Sequence, residues 1–195
     1  THTIYCDGKD TPEDMIKRAI EIGFDSIGFS GHAPMKYDIN WAMTESGKDA
    51  YVKEIKQLKE KYRNDINVYL GIENDLFADT DLSIYDYVIS SVHFIRIGEE
   101  IFGIDVNPNA VKRLIDLHFG GNGLKYVRSY YENLAKINDL SRTDIIGHCD
   151  LVTKYCEREN FFDENCKEYM SYALESITAV AEKNKVFEVN TGAIA

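Results

Sequence analysis

The chain has 195 residues, 44% hydrophobic and 28% charged, with 13 Gly and 3 Pro, a globular profile that does not indicate disorder and suits one domain. Lys and Arg number 22 against 33 Asp and Glu, a net charge of −11 that disfavours nonspecific nucleic-acid binding. Divalent cations in one pocket would still reverse the local sign and admit a phosphorylated substrate. No run of about 18 apolar residues suggests a membrane span, and no signal peptide opens the chain. Cys6, Cys149, Cys156 and Cys166 are irregularly spaced with no CxxC, which reads as reduced cytosolic thiols rather than a zinc–cysteine site.

Short apolar runs alternate with longer amphipathic segments along the chain. Thr11-Pro12-Glu13-Asp14 is a helix start, with Thr as cap, Pro in the first turn and acids after it; the helix stops at Gly23. Ser26-Ile27-Gly28-Phe29-Ser30 reads as a buried strand, followed by a charged helix over 48–62. Further strands are expected over 67–72, 85–92, 144–147 and 186–189, and helices over 109–117, 127–140 and 164–183. Strand–helix alternation argues for a parallel α/β sheet, and the lack of a Gly-rich dinucleotide motif favours a (β/α) barrel. No linker or repeat divides the chain, so 1–195 reads as a single domain.

Polar residues fall where chemistry is expected. His2 and Asp7 lie in the first segment, and His32, Glu73, His93 and His148 follow predicted strands. In a parallel barrel the C-terminal strand ends gather on one face, where sites are built. Taken singly, a histidine after a strand is ordinarily a surface or satisfied residue, Glu73 a cap or ion-pair partner, and Asp7-Gly8 a turn. With His2 counted in the first segment, four of five histidines in this strand-end role point instead to ligands for Zn²⁺, Fe²⁺ or Mn²⁺, and so many donors imply two or three ions. His118 reads as structural first and as a substrate contact second. Arg96 and Arg128 could hold a phosphate, although solvated surface positions suit both. Trp41 and Met43, within 39–43, are candidates for a substrate pocket or for the core. Gly120-Gly121-Asn122-Gly123 reads as a flexible loop, with a substrate lid as its functional alternative. The tyrosine-rich segment 126–131 reads as a packed helix face.

The motifs resemble those of the polymerase and histidinol phosphatase (PHP) family. They are His2-Thr3-Ile4-Tyr5-Cys6-Asp7-Gly8, Gly28-Phe29-Ser30-Gly31-His32-Ala33-Pro34, Gly71-Ile72-Glu73, Ser90-Ser91-Val92-His93-Phe94 and Gly147-His148-Cys149-Asp150-Leu151. Gly-His-Ala-Pro, Ser-Val-His-Phe and Gly-His-Cys-Asp-Leu are most similar to the histidinol-phosphatase branch. The resemblance implies a distorted (β/α)7 TIM-like barrel with a trinuclear metal site. It further implies hydrolysis of L-histidinol phosphate to L-histidinol and phosphate in histidine biosynthesis, in the cytoplasm. His2, Asp7, His32, Glu73, His93 and His148 would be metal ligands, with Glu73 bridging two ions and Glu73, His32 and His93 the catalytic set. The family's first histidine and its last Asp-x-His motif have no counterpart here, which implies a domain truncated at both ends. The alternatives are a phosphoesterase acting on another small phosphate ester or a nucleotide or DNA end, and a non-catalytic metal-binding domain.

Overall fold

A computed structural model describes residues 1–37, 40–184 and 186–190. The chain divides into two compact units, Thr1–Ile89 and Ser90–Ala195.

The first unit is a parallel β-structure covered by helices. Helix α1 (Pro12–Glu21) is capped by Thr11, whose side chain accepts the Asp14 N–H, and it buries Ile16 and Ala19. Strand β1 (Ser26–Phe29) pairs in parallel with β2 (Asn67–Asp75), Ser26 opposite Asn67 and Phe29 opposite Leu70. Helix α2 (Glu45–Lys61) joins them and begins three residues earlier than expected. Thr44 accepts the Gly47 N–H there, so Glu45-Ser46-Gly47 forms a capped first turn rather than a loop. The core holds Ile16, Phe29, Ile55, Ile72 and Val88, all at 0% exposure. Each such aliphatic side chain contributes about 1.5–3 kcal/mol of burial. Buried Tyr51 donates its hydroxyl to the Gly71 carbonyl at 2.8 Å, joining α2 to β2. Strand β3 (Tyr87–Ser91) starts in this unit, and the Asp86 N–H before it donates to the Leu70 carbonyl. The Tyr87 ring lies over Gly71, where a Cβ would approach its Cζ to 2.3 Å.

The second unit contains an element that the sequence reading missed. Strands β4 (Phe94–Ile97) and β5 (Glu100–Gly103) form an antiparallel hairpin, Ile97 opposite Glu100. Its two-residue turn places Gly98 at φ 60, a conformation that favours glycine. Helices α3 (Pro108–Phe119) and α4 (Gly123–Ala135) are joined by the Gly-rich segment. That segment is not the free loop the composition suggested. Gly120 ends α3 at φ 64, Asn122 caps α4 by accepting the Lys125 N–H, and a Cβ on Gly123 would meet the Phe161 carbonyl oxygen at 2.0 Å. Every residue in it has a turn or packing duty, which leaves no span to act as a lid. Helix α4 therefore starts four residues before the expected one.

Helix α5 (Lys167–Lys183) packs on α4. The tyrosine-rich segment is a packed face, with Tyr126, Tyr130 and Tyr131 buried. The Ser176 hydroxyl donates to the Tyr131 carbonyl at 2.7 Å, and the Tyr131 and Tyr169 hydroxyls meet at 3.0 Å. Strand β6 (Ile145–Ile146) is shorter than expected. The Gly147 N–H donates to the Ser90 carbonyl, and Ile146 forms a parallel bridge with Phe187. Within the expected strand 186–189, that bridge is the extent of the pairing among the described residues. No helix of the described residues is long and apolar enough to cross a membrane.

Candidate metal-binding residues

Backbone pairing sets the first group of side chains. Beyond β1, His32 forms a parallel bridge with Glu73: the Glu73 N–H donates to the Gly31 carbonyl, and the Ala33 N–H to the Glu73 carbonyl. Residues paired this way project to the same face. Glu73 thus lies inside β2, rather than after the strand as its apolar pattern implied, because the polar run Glu73-Asn74-Asp75 continues the extended backbone. His2 joins them because the Ser30 N–H donates to the Thr1 carbonyl, which lays the first residues along the end of β1. A tight turn then returns Asp7: the Cys6 and Gly8 N–H groups both donate to the Thr3 carbonyl. A Cβ on Gly8 would lie 2.5 Å from the Thr3 nitrogen, so only glycine fits the turn.

The four side chains converge. One carboxylate oxygen of Glu73 lies 3.3 Å from His2 Nε2 and 3.2 Å from His32 Nδ1. Asp7 lies 3.2 Å from His2 Nδ1 and 3.7 Å from His32 Nε2. The two imidazole centroids are 4.4 Å apart. The Cys6 sulphur and the Glu73 carboxylate facing the ring raise the His2 pKa to about 10 despite partial burial. The His32 and His2 imidazoles facing it hold the Asp7 carboxyl down at about 2. Burial alone would push the Cys6 thiol up, but hydrogen bonds from His2 and from the Thr3 and His32 backbone outweigh it and lower its pKa. Trp41 meets the His32 ring edge-on at 4.5 Å, whereas Met43 is buried and belongs to the core. Of the expected pocket segment, Ile39 lies outside the described residues.

The second unit holds a pair. His93 follows β3 and His148 follows β6, each by two residues. Both are buried, and their Nε2 atoms face each other at 3.1 Å with the rings nearly perpendicular at 72°. The His93 carbonyl accepts the Ile104 N–H. His148 is fixed twice through its backbone, its N–H donating to Glu188 at 3.0 Å and its carbonyl accepting from the Tyr130 hydroxyl at 3.2 Å. Sequence reasoning missed Glu188 as a partner. Its signal was a lone charge inside the apolar run Val186-Phe187-Glu188-Val189.

The donor spacings test whether cations fit. Ligand bonds of about 2.1 Å put neighbouring donors roughly 3.0 Å apart around an octahedral ion and roughly 3.4 Å apart around a tetrahedral one. The contacts of Glu73 with both imidazoles fall in that range, as does the His93–His148 contact. The carboxylate contacts exceed the 2.7–2.9 Å of charge-assisted hydrogen bonds. Imidazole and carboxylate are also the donors that Zn²⁺, Mn²⁺ and Fe²⁺ accept. His2, Asp7 and His32 offer donor atoms mutually within 4.8 Å.

The PHP domain family profile matches residues 1–192. The chain belongs to the PHP family. It is 26% identical over 215 residues to a histidinol-phosphatase of Bacillus subtilis, covering 99% of this chain and 79% of that protein. It is 28% identical over 201 residues to a protein of Deinococcus radiodurans assigned as a histidinol-phosphatase, covering 97% of this chain and 71% of the relative. Among solved structures, one from Listeria monocytogenes assigned as a histidinol phosphatase aligns with TM-score 0.74 and 20% identity, over 93% of this chain and 77% of its own. Another, from Lactococcus lactis, aligns with TM-score 0.68 and 22% identity, over 97% and 71% respectively. It is a histidinol phosphate phosphatase complexed with zinc, L-histidinol and phosphate. These likenesses establish the α/β fold of the PHP structures for this chain.

The remaining sequence candidates occupy other places. His118, in the last turn of α3, packs on Phe102 at 4.5 Å. Arg128 on α4 pairs with Glu132 at 2.9 Å and lies over the Tyr172 ring. Arg96 is exposed on β4, opposite Ile101.

Proposed function

We propose that the chain is a metal-dependent phosphomonoesterase that hydrolyses L-histidinol phosphate to L-histidinol and phosphate. The observation that carries this reading is one Glu73 oxygen set between His2 and His32 at metal-donor spacing. The reading is supported by family membership and by the name that the curated relatives share. The zinc, histidinol and phosphate of the Lactococcus lactis protein support the cofactor and substrate class.

His2, Asp7, His32, Glu73, His93 and His148 are the proposed ligands. Six donors exceed the needs of one ion, so two or three divalent ions are proposed, of zinc, manganese or iron. Such ions lower the pKa of a bound water and neutralise phosphate charge. Glu73 would be the bridging carboxylate, since one of its oxygens faces both imidazoles. Asp7 stays ionised at every working pH and keeps negative charge against the imidazoles. Glu188 and Tyr130 hold the His148 backbone from two sides, which fixes where its side chain starts.

Arg96, Arg128 and His118 are proposed phosphate contacts on side-chain chemistry alone. The ion pair of Arg128 with Glu132 and the packing of His118 on Phe102 give them less support than the ligands have. A cytoplasmic location accords with four free thiols, which that compartment keeps reduced.

The test is a phosphate-release assay on chelated and metal-reloaded protein, with histidinol phosphate set against sugar phosphates, nucleotides and single-stranded DNA. Metal-dependent release with histidinol phosphate as the best substrate supports the reading. Release untouched by thorough chelation, or a clear preference for another substrate, rejects it.

A further inference from the structure

We propose that Cys6 is a positioning residue for the first group of ligands: its sulphur accepts the Nδ1–H of His2, which turns His2 Nε2 toward the cation. The inference deepens the metal-ligand reading above and rests on it.

The Cys6 sulphur lies 3.5 Å from His2 Nδ1, while Nε2 on the other side of the ring faces Glu73 at 3.3 Å. A neutral imidazole carries one N–H, and which nitrogen holds it is set by the acceptor on that side. A ring whose Nδ1–H is held has its Nε2 lone pair free for a cation, the arrangement that metal-bound histidines ordinarily show. Asp7 also faces Nδ1, at 3.2 Å, but its other oxygen is turned toward His32 at 3.7 Å. Once Asp7 is drawn onto a cation, Cys6 is the acceptor left to hold the ring.

The sulphur is itself fixed. It packs against Gly31, where a Cβ would come within 3.3 Å of it. One atom therefore ties the turn carrying His2 to the segment carrying His32. Serine keeps an acceptor at that place, and alanine removes it.

The experiment compares Cys6→Ala and Cys6→Ser with the parent chain by zinc competition against a chromogenic chelator. The His2 tautomer is read by ¹⁵N NMR of the zinc-loaded protein, and thermal unfolding in EDTA checks the fold. Cys6→Ala should weaken zinc binding by about tenfold, the usual effect of losing a hydrogen-bond partner of a ligand. It should also broaden or split the His2 signals, while Cys6→Ser recovers most of the loss and all three chains stay folded in EDTA at the assay temperature. Parent-like zinc affinity with an unchanged His2 tautomer in Cys6→Ala overturns the inference. Equal losses in both variants overturn it too, since the acceptor would then be irrelevant. A parent chain that binds no zinc defeats the metal reading itself, and so is distinguished from failure of the positioning role.

Discussion

Replacing Glu73 by Gln changes one charge and almost no volume. The Glu73 side chain is 7% exposed, and one oxygen faces His2 Nε2 at 3.3 Å and His32 Nδ1 at 3.2 Å. A cation shared by those donors would lie no farther from the carboxylate than they do, where one unit-charge pair is worth at least roughly 5 kcal/mol before desolvation, at an effective dielectric constant of about 20. An amide oxygen remains able to ligate weakly, so about half of that is expected to be lost. A loss of roughly 2.7 kcal/mol is a fall of about 100-fold in zinc affinity. The assay is chelator competition on Glu73→Gln, with metal content measured after dialysis and circular dichroism confirming the fold. Phosphate release from histidinol phosphate should fall with metal content. A folded Glu73→Gln protein binding zinc within about threefold of the parent, well under 1 kcal/mol, would refute the bridging role.

The pH dependence follows from His2. Its pKa rises from 6.5 to about 10 in the metal-free fold, so the protonated ring stabilises that fold; the contribution is whole below 6.5 and is lost as pH rises toward 10. A cation must displace that proton, so zinc binding near pH 7 should release it and tighten as pH rises. Titration calorimetry in buffers of different ionisation enthalpy checks this, and binding without proton release contradicts it. Away from the ligands, Gly71→Ala should destabilise the fold by about 1–3 kcal/mol through overpacking against Tyr87. Thermal unfolding checks it, and Tyr87→Leu should relieve much of the effect; an unchanged melting temperature contradicts the packing described.

Legibility in the sequence followed the range of the interactions. Thr11-Pro12 and Gly23 marked α1 because capping is local chemistry. Thr44 also caps a helix, but the Ser46-Gly47 that follows it disguised the first turn of α2 as loop. The β4–β5 hairpin was visible only as a glycine between short apolar runs, a signal too brief to separate from a strand extension. Gly120 to Gly123 looked mobile because composition cannot register the Phe161 carbonyl pressed against Gly123. Within the site, His2, Asp7, His32 and Glu73 were legible as donor types near strand ends, and their mutual spacing came from the His32–Glu73 bridge. Cys6 reads as an ordinary reduced thiol, since nothing local shows that its sulphur reaches the His2 ring and packs on Gly31. Glu188 was passed over inside an apolar run because its partner, the His148 N–H, lies 40 residues away.

The claim beneath all of this is that side-chain nitrogen and oxygen atoms, with no sulphur, hold the cations. X-ray absorption at the zinc edge of the loaded protein measures that directly. The account predicts nitrogen and oxygen neighbours at about 2.0–2.2 Å with the scattering pattern of imidazole. A sulphur shell at about 2.3 Å, or zinc surrounded by water alone, would contradict it.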